Sequence, residues 1–215
     1  MTDIDVTVAD TRHLPYAAEI CEMMAEAARV RGTGIAQRQP EYLRQKIQEG
    51  KAVIALHEGR AVGFCYIESW EGQQFVANSG LIVHPDYRKL GLAKRIKQEI
   101  FHLSRRKYPK AKLFGITTSR AVMKINSELG YEPVTFSELT RDDAFWSGCR
   151  SCVNYDILTR TNRKMCLCTG MVCDPNRQPP PVEAPRTAWQ RFLDFIKARR
   201  RRIAALTSKK VAERE

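Results

Sequence analysis

A chain of 215 residues is long enough for one domain, or one domain with a small appendage. Its formal net charge of +12 points to anionic partners: a phosphate-rich cofactor, an acidic substrate, nucleic acid or a membrane surface. No apolar run approaches the roughly 18 residues of a membrane span. The acidic, polar start Met1-Thr2-Asp3-Ile4-Asp5 lacks a signal-peptide pattern, and seven cysteines, an odd count, speak against a disulfide framework. The expectation is a cytoplasmic protein whose cysteines are thiols or metal ligands.

Taken in chain order, Ile4 to Ala9 alternates apolar and polar residues and predicts a first strand. Leu14 to Arg31 carries apolar residues at helical spacing, and Arg31-Gly32-Thr33-Gly34 ends that helix. Pro40 to Glu49 reads as a second helix, with Pro40 suited to its first turn. Ala52 to Leu56 and Ala61 to Trp70 read as two strands joined by the hairpin His57-Glu58-Gly59-Arg60. Phe75 to Val83 is the next strand, followed by a basic loop and a helix from near Leu90 to about Lys107. Ala111 to Thr117 predicts another strand and Ser119 to Leu129 another helix, with Gly130 placed to end it. The order is β-α-α-β-β-β-α-β-α, then further strand, with no internal repeat.

The most informative segment is Val83-His84-Pro85-Asp86-Tyr87-Arg88-Lys89-Leu90-Gly91-Leu92-Ala93-Lys94-Arg95. A strand, a tight basic loop and a helix start aim several backbone N–H groups and the positive end of a helix dipole at one point, an anion site suited to a pyrophosphate. Gly91 lets the backbone approach a ligand where a Cβ would intrude. The pattern R-x-x-G-x-A after a strand ending V-H-P resembles the acyl-CoA loop of the GCN5-related N-acetyltransferases (GNAT family). The resemblance covers roughly residues 4 to 160. It implies an α/β (α+β) fold with a central mixed sheet splayed between the fourth and fifth strands and helices on both faces. It further implies acetyl-CoA as cosubstrate, lying between Leu81 to Val83 and Phe114 to Thr117. The cofactor contacts it implies are Leu81, Ile82, Val83, Arg88, Lys89, Leu90, Gly91, Leu92, Ala93, Lys94, Ser119 and Asn126. A backbone N–H near Leu81 or Ile82 would polarise the thioester carbonyl, a device made of main chain.

Many members of that family keep a Glu on the strand before the loop to take the proton of the attacking amine. Gln73 to Val83 contains no carboxylate, so the nearest candidates are Glu68 and Glu71, acting directly or through water. Many also carry a Tyr four residues before the Gly that ends the later helix, to protonate the departing thiolate. Here that position is Asn126, which can hydrogen-bond to sulfur but is no practical acid; water, Ser127 or Tyr131 are the alternatives.

Leu113-Phe114-Gly115-Ile116-Thr117-Thr118, the helix, and Glu128-Leu129-Gly130-Tyr131-Glu132-Pro133-Val134 resemble the acetyltransferase domain of N-acetylglutamate synthases, although the strand Glu of those enzymes falls near Ala77 or Asn78 and the helix is about two residues longer. The resemblance implies a small amino acid acceptor such as glutamate. Arg binds carboxylates bidentately, so Arg31, Arg38, Arg120 and Arg150 are candidate substrate contacts. Another amine, a protein acceptor, a succinyl donor and a non-catalytic CoA-binding sensor are the alternatives.

Cys149-x-x-Cys152, Cys166-x-Cys168 and Cys173 lie within 25 residues. With Asn154 to Thr159 read as a strand between the two pairs, Cys149, Cys152, Cys166 and Cys168 are candidate ligands of a structural zinc, with Cys173 a substitute. A redox-sensitive pair at Cys149 and Cys152 and plain buried thiols are the other readings. Pro179-Pro180-Pro181 marks a linker. Beyond it Trp189, Phe192, Leu193, Ile196, Ile203 and Leu206 share one face of a basic amphipathic helix that includes Arg199 to Arg202. That helix is suited to a membrane, a nucleic acid, or a protein surface, its own body included. The expected organisation is an N-acyltransferase domain over 1–160, a cysteine-containing extension over 161–178, and the linker and basic helix over 179–215. A homodimer is a further expectation.

Overall fold

The computed structural model describes residues 4–32 and 38–177, the side chain of Arg31 excepted. The linker and amphipathic helix expected over 179–215 lie outside the described residues.

The centre of the sheet follows from two β-rich runs and a tight turn. β2 (Ala52–His57) and β3 (Arg60–Trp70) pair antiparallel through Glu58-Gly59. Those two residues have φ of 49° and 76°, the paired positive values of a two-residue turn whose twist matches its strands. β1 (Asp5–Val8) pairs with β2, and β4 (Phe75–Val83) with β3, both antiparallel. β5 (Lys112–Thr117), β6 (Glu132–Val134) and β7 (Thr169–Cys173) complete seven strands in the order β1-β2-β3-β4-β5-β7-β6. β4 and β5 run parallel and pair at only three positions, Phe75 with Lys112, Val76 with Leu113 and Ala77 with Phe114. Beyond Ala77 they diverge, the splay expected between the fourth and fifth strands.

Helices cover both faces, each burying one stripe. α3 (Leu92–Lys107) sends Leu92, Ile96, Ile100 and Leu103 into one core with Val53, Cys65, Ile67 and Val76. α1 (Ala17–Arg31) and α2 (Pro40–Gln48) send Ile20, Met24, Leu43 and Ile47 against Ile54, Phe64 and Tyr66 on the opposite face. A third cluster lies at the β5–β7 end. There α5 (Asp143–Ser147) and α6 (Tyr155–Arg160) contribute Trp146 and Leu158 to Phe114, Phe136 and Val172. α4 (Arg120–Glu128) begins on a Ser119 cap and is followed by Gly130 at φ 84°. No described helix is long and apolar enough to cross a membrane.

Three expectations are corrected. The helix expected from Leu90 begins at Leu92, because Gly91 at φ 76° caps it and leaves Leu90 exposed. The strand expected over 154–159 is α6: its Tyr155 and Leu158 face a core from one side, and Leu158 and Thr161 donate back to Asn154 and Ile157. The sheet runs past the boundary expected at residue 160, since β7 lies between β5 and β6.

Candidate active site

The loop after β4 has the geometry of an anion cradle. His84 accepts from the Asp86 N–H, Pro85–Tyr87 forms a 3-10 turn, and Lys89 (φ 65°) and Gly91 (φ 76°) turn the chain back into α3. No side chain caps α3 and its first turn holds no acidic residue, so no side chain competes for its leading N–H groups. A Cβ on Gly91 would meet nothing within 4 Å, so the space in front of the helix is open. Two of the loop cations are already engaged: the Arg88 Nε donates to the Val83 carbonyl at 3.4 Å, and Lys94 pairs with Glu128 at 2.8 Å.

β4 departs from regular pairing where it approaches this loop. Its register against β3 shifts between Phe64 and Tyr66, and Gly80 at φ 64° absorbs the extra residue as a bulge. A Cβ on Gly80 would overlap the ring edge of Tyr66, so glycine is required for space as well as for φ. Beyond the bulge, Leu81 and Ile82 line a cavity of about 740 Å³. β5 supplies Gly115 to Thr118 on the other side of the same cavity.

The polar floor of the cavity comes from β3, α2 and the segment before α2. Glu68, largely shielded from solvent, accepts a hydrogen bond from the Tyr42 hydroxyl and lies 3.5 Å from the Arg38 guanidinium. The Arg38 Nε donates to the Tyr66 hydroxyl at 2.9 Å. Arg38 and Lys46 both lie over the Tyr42 ring, at 5.2 and 4.9 Å from its centroid. Burial and the Glu68 charge push the Tyr42 hydroxyl well above its ordinary range, and burial does the same to Tyr66, so both remain neutral donors. Part of the lining is aromatic: Phe145 packs edge-on against Trp70 and Phe114, at 5.1 and 4.9 Å.

Residues 18–121 match the model of the acetyltransferase (GNAT) family. Over that segment, just under half of its length, the chain carries a GNAT acetyltransferase domain. Among solved structures it is similar to N-acetylglutamate synthase from Neisseria gonorrhoeae complexed with coenzyme A and N-acetyl-glutamate, at 18% identity and a TM-score of 0.56 over 82% of this chain and 36% of that one. The chain therefore spans little more than a third of that synthase. It is also similar to diaminobutyrate acetyltransferase from Paenibacillus lautus in complex with L-2,4-diaminobutyric acid and coenzyme A (10% identity, TM-score 0.54, 83% of this chain and 98% of that one). A Mycobacterium tuberculosis protein in complex with CoA is similar at 15% identity and a TM-score of 0.55, over 79% and 98% of the two chains. Among curated proteins, no sequence matches.

Within the GNAT domain, the structure sorts the residues singled out from the sequence. It brings Glu68 and Arg38 together in the cavity. Glu71 faces elsewhere: its carboxylate accepts from the Thr140 hydroxyl at 2.6 Å and from the Arg141 N–H, and it pins the turn before α5. Arg120 and Arg150 are exposed and outside the cavity wall, and the side chain of Arg31 lies outside the described residues. Ser119 caps α4, and Asn126 is buried, with Nδ2 donating to Met171 Sδ at 3.6 Å and Oδ1 without a partner. The Tyr131 hydroxyl donates to Asn78 Oδ1 at 3.2 Å. Tyr42, Tyr66 and Lys46 were missed. A hydroxyl in the apolar run of β3, two residues before Glu68, was the available signal.

The zinc expectation gains no support from the described residues. Among the described residues no group of three or more His, Cys, Asp or Glu side chains could hold a metal ion. Cys149, Cys152, Cys166 and Cys168 are free thiols that line the cavity, and α6 takes the place of the strand expected to fold them into a ligand set. Cys173 lies apart, accepting from Arg105 at 3.1 Å.

Proposed function

We propose that this domain transfers the acetyl group of acetyl-CoA to the amine of a small amino acid carrying an extra carboxylate, with glutamate as the first acceptor to test, an acylation of the arginine-biosynthesis type. The observation that supports it is the Glu68–Arg38–Tyr42 cluster on the floor of the cavity into which the β4 bulge opens. The pyrophosphate is assigned to the loop from Arg88 to Ala93, where a helix start without a side-chain cap meets an unobstructed Gly91. The pantetheine arm is assigned to the splay, where strand backbone beyond Ala77 lacks a strand partner on that side.

Each group then has one task. An amine attacks only as the free base, and Glu68 takes its proton. Tyr42 and Arg38, both bonded to that carboxylate, fix its position. Arg38 and Lys46 supply positive charge for the acceptor's carboxylates, with the guanidinium fork suited to bidentate contact. Backbone N–H at Leu81 or Ile82 meets the negative charge that gathers on the acyl oxygen as the amine adds. Binding both reactants in one cavity removes the need for a covalent enzyme intermediate. The thiolate leaves without a tyrosine acid, since Asn126 stands at that position, and solvent protonates it.

The test is CoA release from acetyl-CoA against amino acids, polyamines and a lysine peptide, with succinyl-CoA in parallel. Release with glutamate or another acidic amino acid supports the proposal. Release only with polyamines or the peptide would replace the acceptor, and tight CoA binding with no release would make the domain a sensor.

A further inference from the structure

The lining of the cavity contains chemistry that acyl transfer does not use. Cys149, Cys152, Cys166 and Cys168 are four unbridged, half-buried thiols in that lining. Burial and neighbouring sulfur hold two of them protonated. Burial, then the thiols of Cys152 and Cys166, push Cys149 up to about 11; burial, then Cys166, Cys152 and Cys149, push Cys168 up to about 12. Thiols placed on a cavity lining can exchange with other sulfur.

The backbone selects which pair. The Cys152 N–H donates to the Cys149 carbonyl at 2.9 Å, closing a four-residue turn. Such a turn holds its end Cα atoms within ~7 Å, and a disulfide needs about 4.4–6.8 Å. The turn is also coupled to the cavity: the Cys149 N–H donates to the Trp146 carbonyl at 3.1 Å, one residue from the Phe145 that packs on Trp70 and Phe114.

We propose that Cys149 and Cys152 form a reversible dithiol–disulfide site in the cavity wall, oxidised by low-molecular-weight disulfides, whose closure alters acceptor binding. The second clause rests on the acyltransferase reading; the first does not. The thiolate of Cys152 attacks one sulfur of the small disulfide, whose S–S bond breaks and releases one thiol. Cys149 gives up its proton to solvent and attacks the mixed disulfide, expelling the second thiol. Two protein thiols are oxidised and one small disulfide is reduced to two thiols. Attack needs thiolate, so closure is faster at pH 9 than at pH 7.

The test equilibrates the full chain across oxidised-to-reduced dithiothreitol ratios, quenches in acid, alkylates, and measures intact mass and bridged peptides. Seven alkylated thiols are expected to fall by two in one step, with the bridge mapped to Cys149 and Cys152. Cys152→Ser is expected to abolish the step and Cys21→Ser to retain it. The bridged protein is expected to show a raised KM for the acceptor with unchanged CoA affinity. Seven alkylated thiols at the most oxidising ratio, or a bridge mapped to other cysteines, would overturn the site. An unchanged acceptor KM in bridged protein would overturn its coupling to the cavity. The mass readout does not require turnover, so an absence of acyl transfer and an absence of the bridge are separate results.

Discussion

At the scale of single residues, two charged groups in the sheet region are held for opposite reasons. Glu68 is held where its charge is supported, by the Tyr42 hydroxyl and the Arg38 guanidinium. Glu68→Gln keeps the shape and removes the base, so kcat is expected to drop by roughly 10²–10⁴-fold, with CoA affinity and thermal midpoint unchanged; a variant with near-native kcat takes Glu68 out of that role. Lys97 is held where its charge is not supported. It is buried, bonds to Asn78 Oδ1 at 3.1 Å, and desolvation lowers it from 10.5 to about 8. Between those two values the unfolded chain binds a proton that the folded chain has released, so folding stability rises with pH across that window. Below pH 8 the folded state carries the full penalty of a buried ammonium. Lys97→Met is therefore expected to be more stable than the native chain at pH 7, by about 3 kcal/mol at most, and this advantage shrinks as pH rises toward 10.5. Denaturant titrations at pH 7 and pH 10 measure it. An advantage that does not change with pH would be one of packing rather than charge.

At the scale of elements, two glycines with the same backbone sign separate space from strain. Gly91 (φ 76°) has open space where a Cβ would go, whereas Gly80 (φ 64°) has the Tyr66 ring there. Gly91→Ala is expected to destabilise by about 1–2 kcal/mol from backbone strain alone. Gly80→Ala is expected to destabilise more and also to lower turnover, because moving Tyr66 disturbs its bond to Arg38. Gly91→Trp fills the front of α3 and is expected to abolish CoA binding in a folded protein, read by calorimetry beside a melting curve; retained affinity would remove the loop from the pyrophosphate site. These elements were legible because each has a local signal: the alternation and turn residues of β2–β3, the proline start of α2, the strand–loop–helix run around Gly91. α6 was not, because Asn154 to Thr159 is too short to show a period, and what decides it is tertiary: Leu158 packs beside Trp146 and Phe136. The same holds for the site. Glu68 and Arg38 were legible as chemical types, but their pairing across 30 positions, and the anchoring of Glu71 on Thr140 instead, are facts of folding that no window of sequence contains.

At the scale of the whole molecule, charge is divided unevenly along the chain. Residues 178–215 hold ten Lys and Arg against four Asp and Glu, half of the formal net charge of +12 in under a fifth of the chain. The sheet, by contrast, is complete by Cys173, and Arg177 is tied back to Glu138 at 2.9 Å. A chain ending at Arg177 therefore keeps all seven strands and every side chain assigned to the acyl-transfer site. Its thermal midpoint and its turnover with the best acceptor are expected to match those of the full chain. Retention on anionic lipid vesicles or duplex DNA, measured by co-sedimentation and gel shift, is expected to be lost with the tail, and to weaken in the full chain as salt is raised. Which of the two polyanions retains the full chain at physiological salt distinguishes a lipid surface from nucleic acid. A truncated chain that melts markedly earlier or loses turnover would instead assign the basic segment to the enzyme's own body, and its positive charge to the acidic ligands of the cavity.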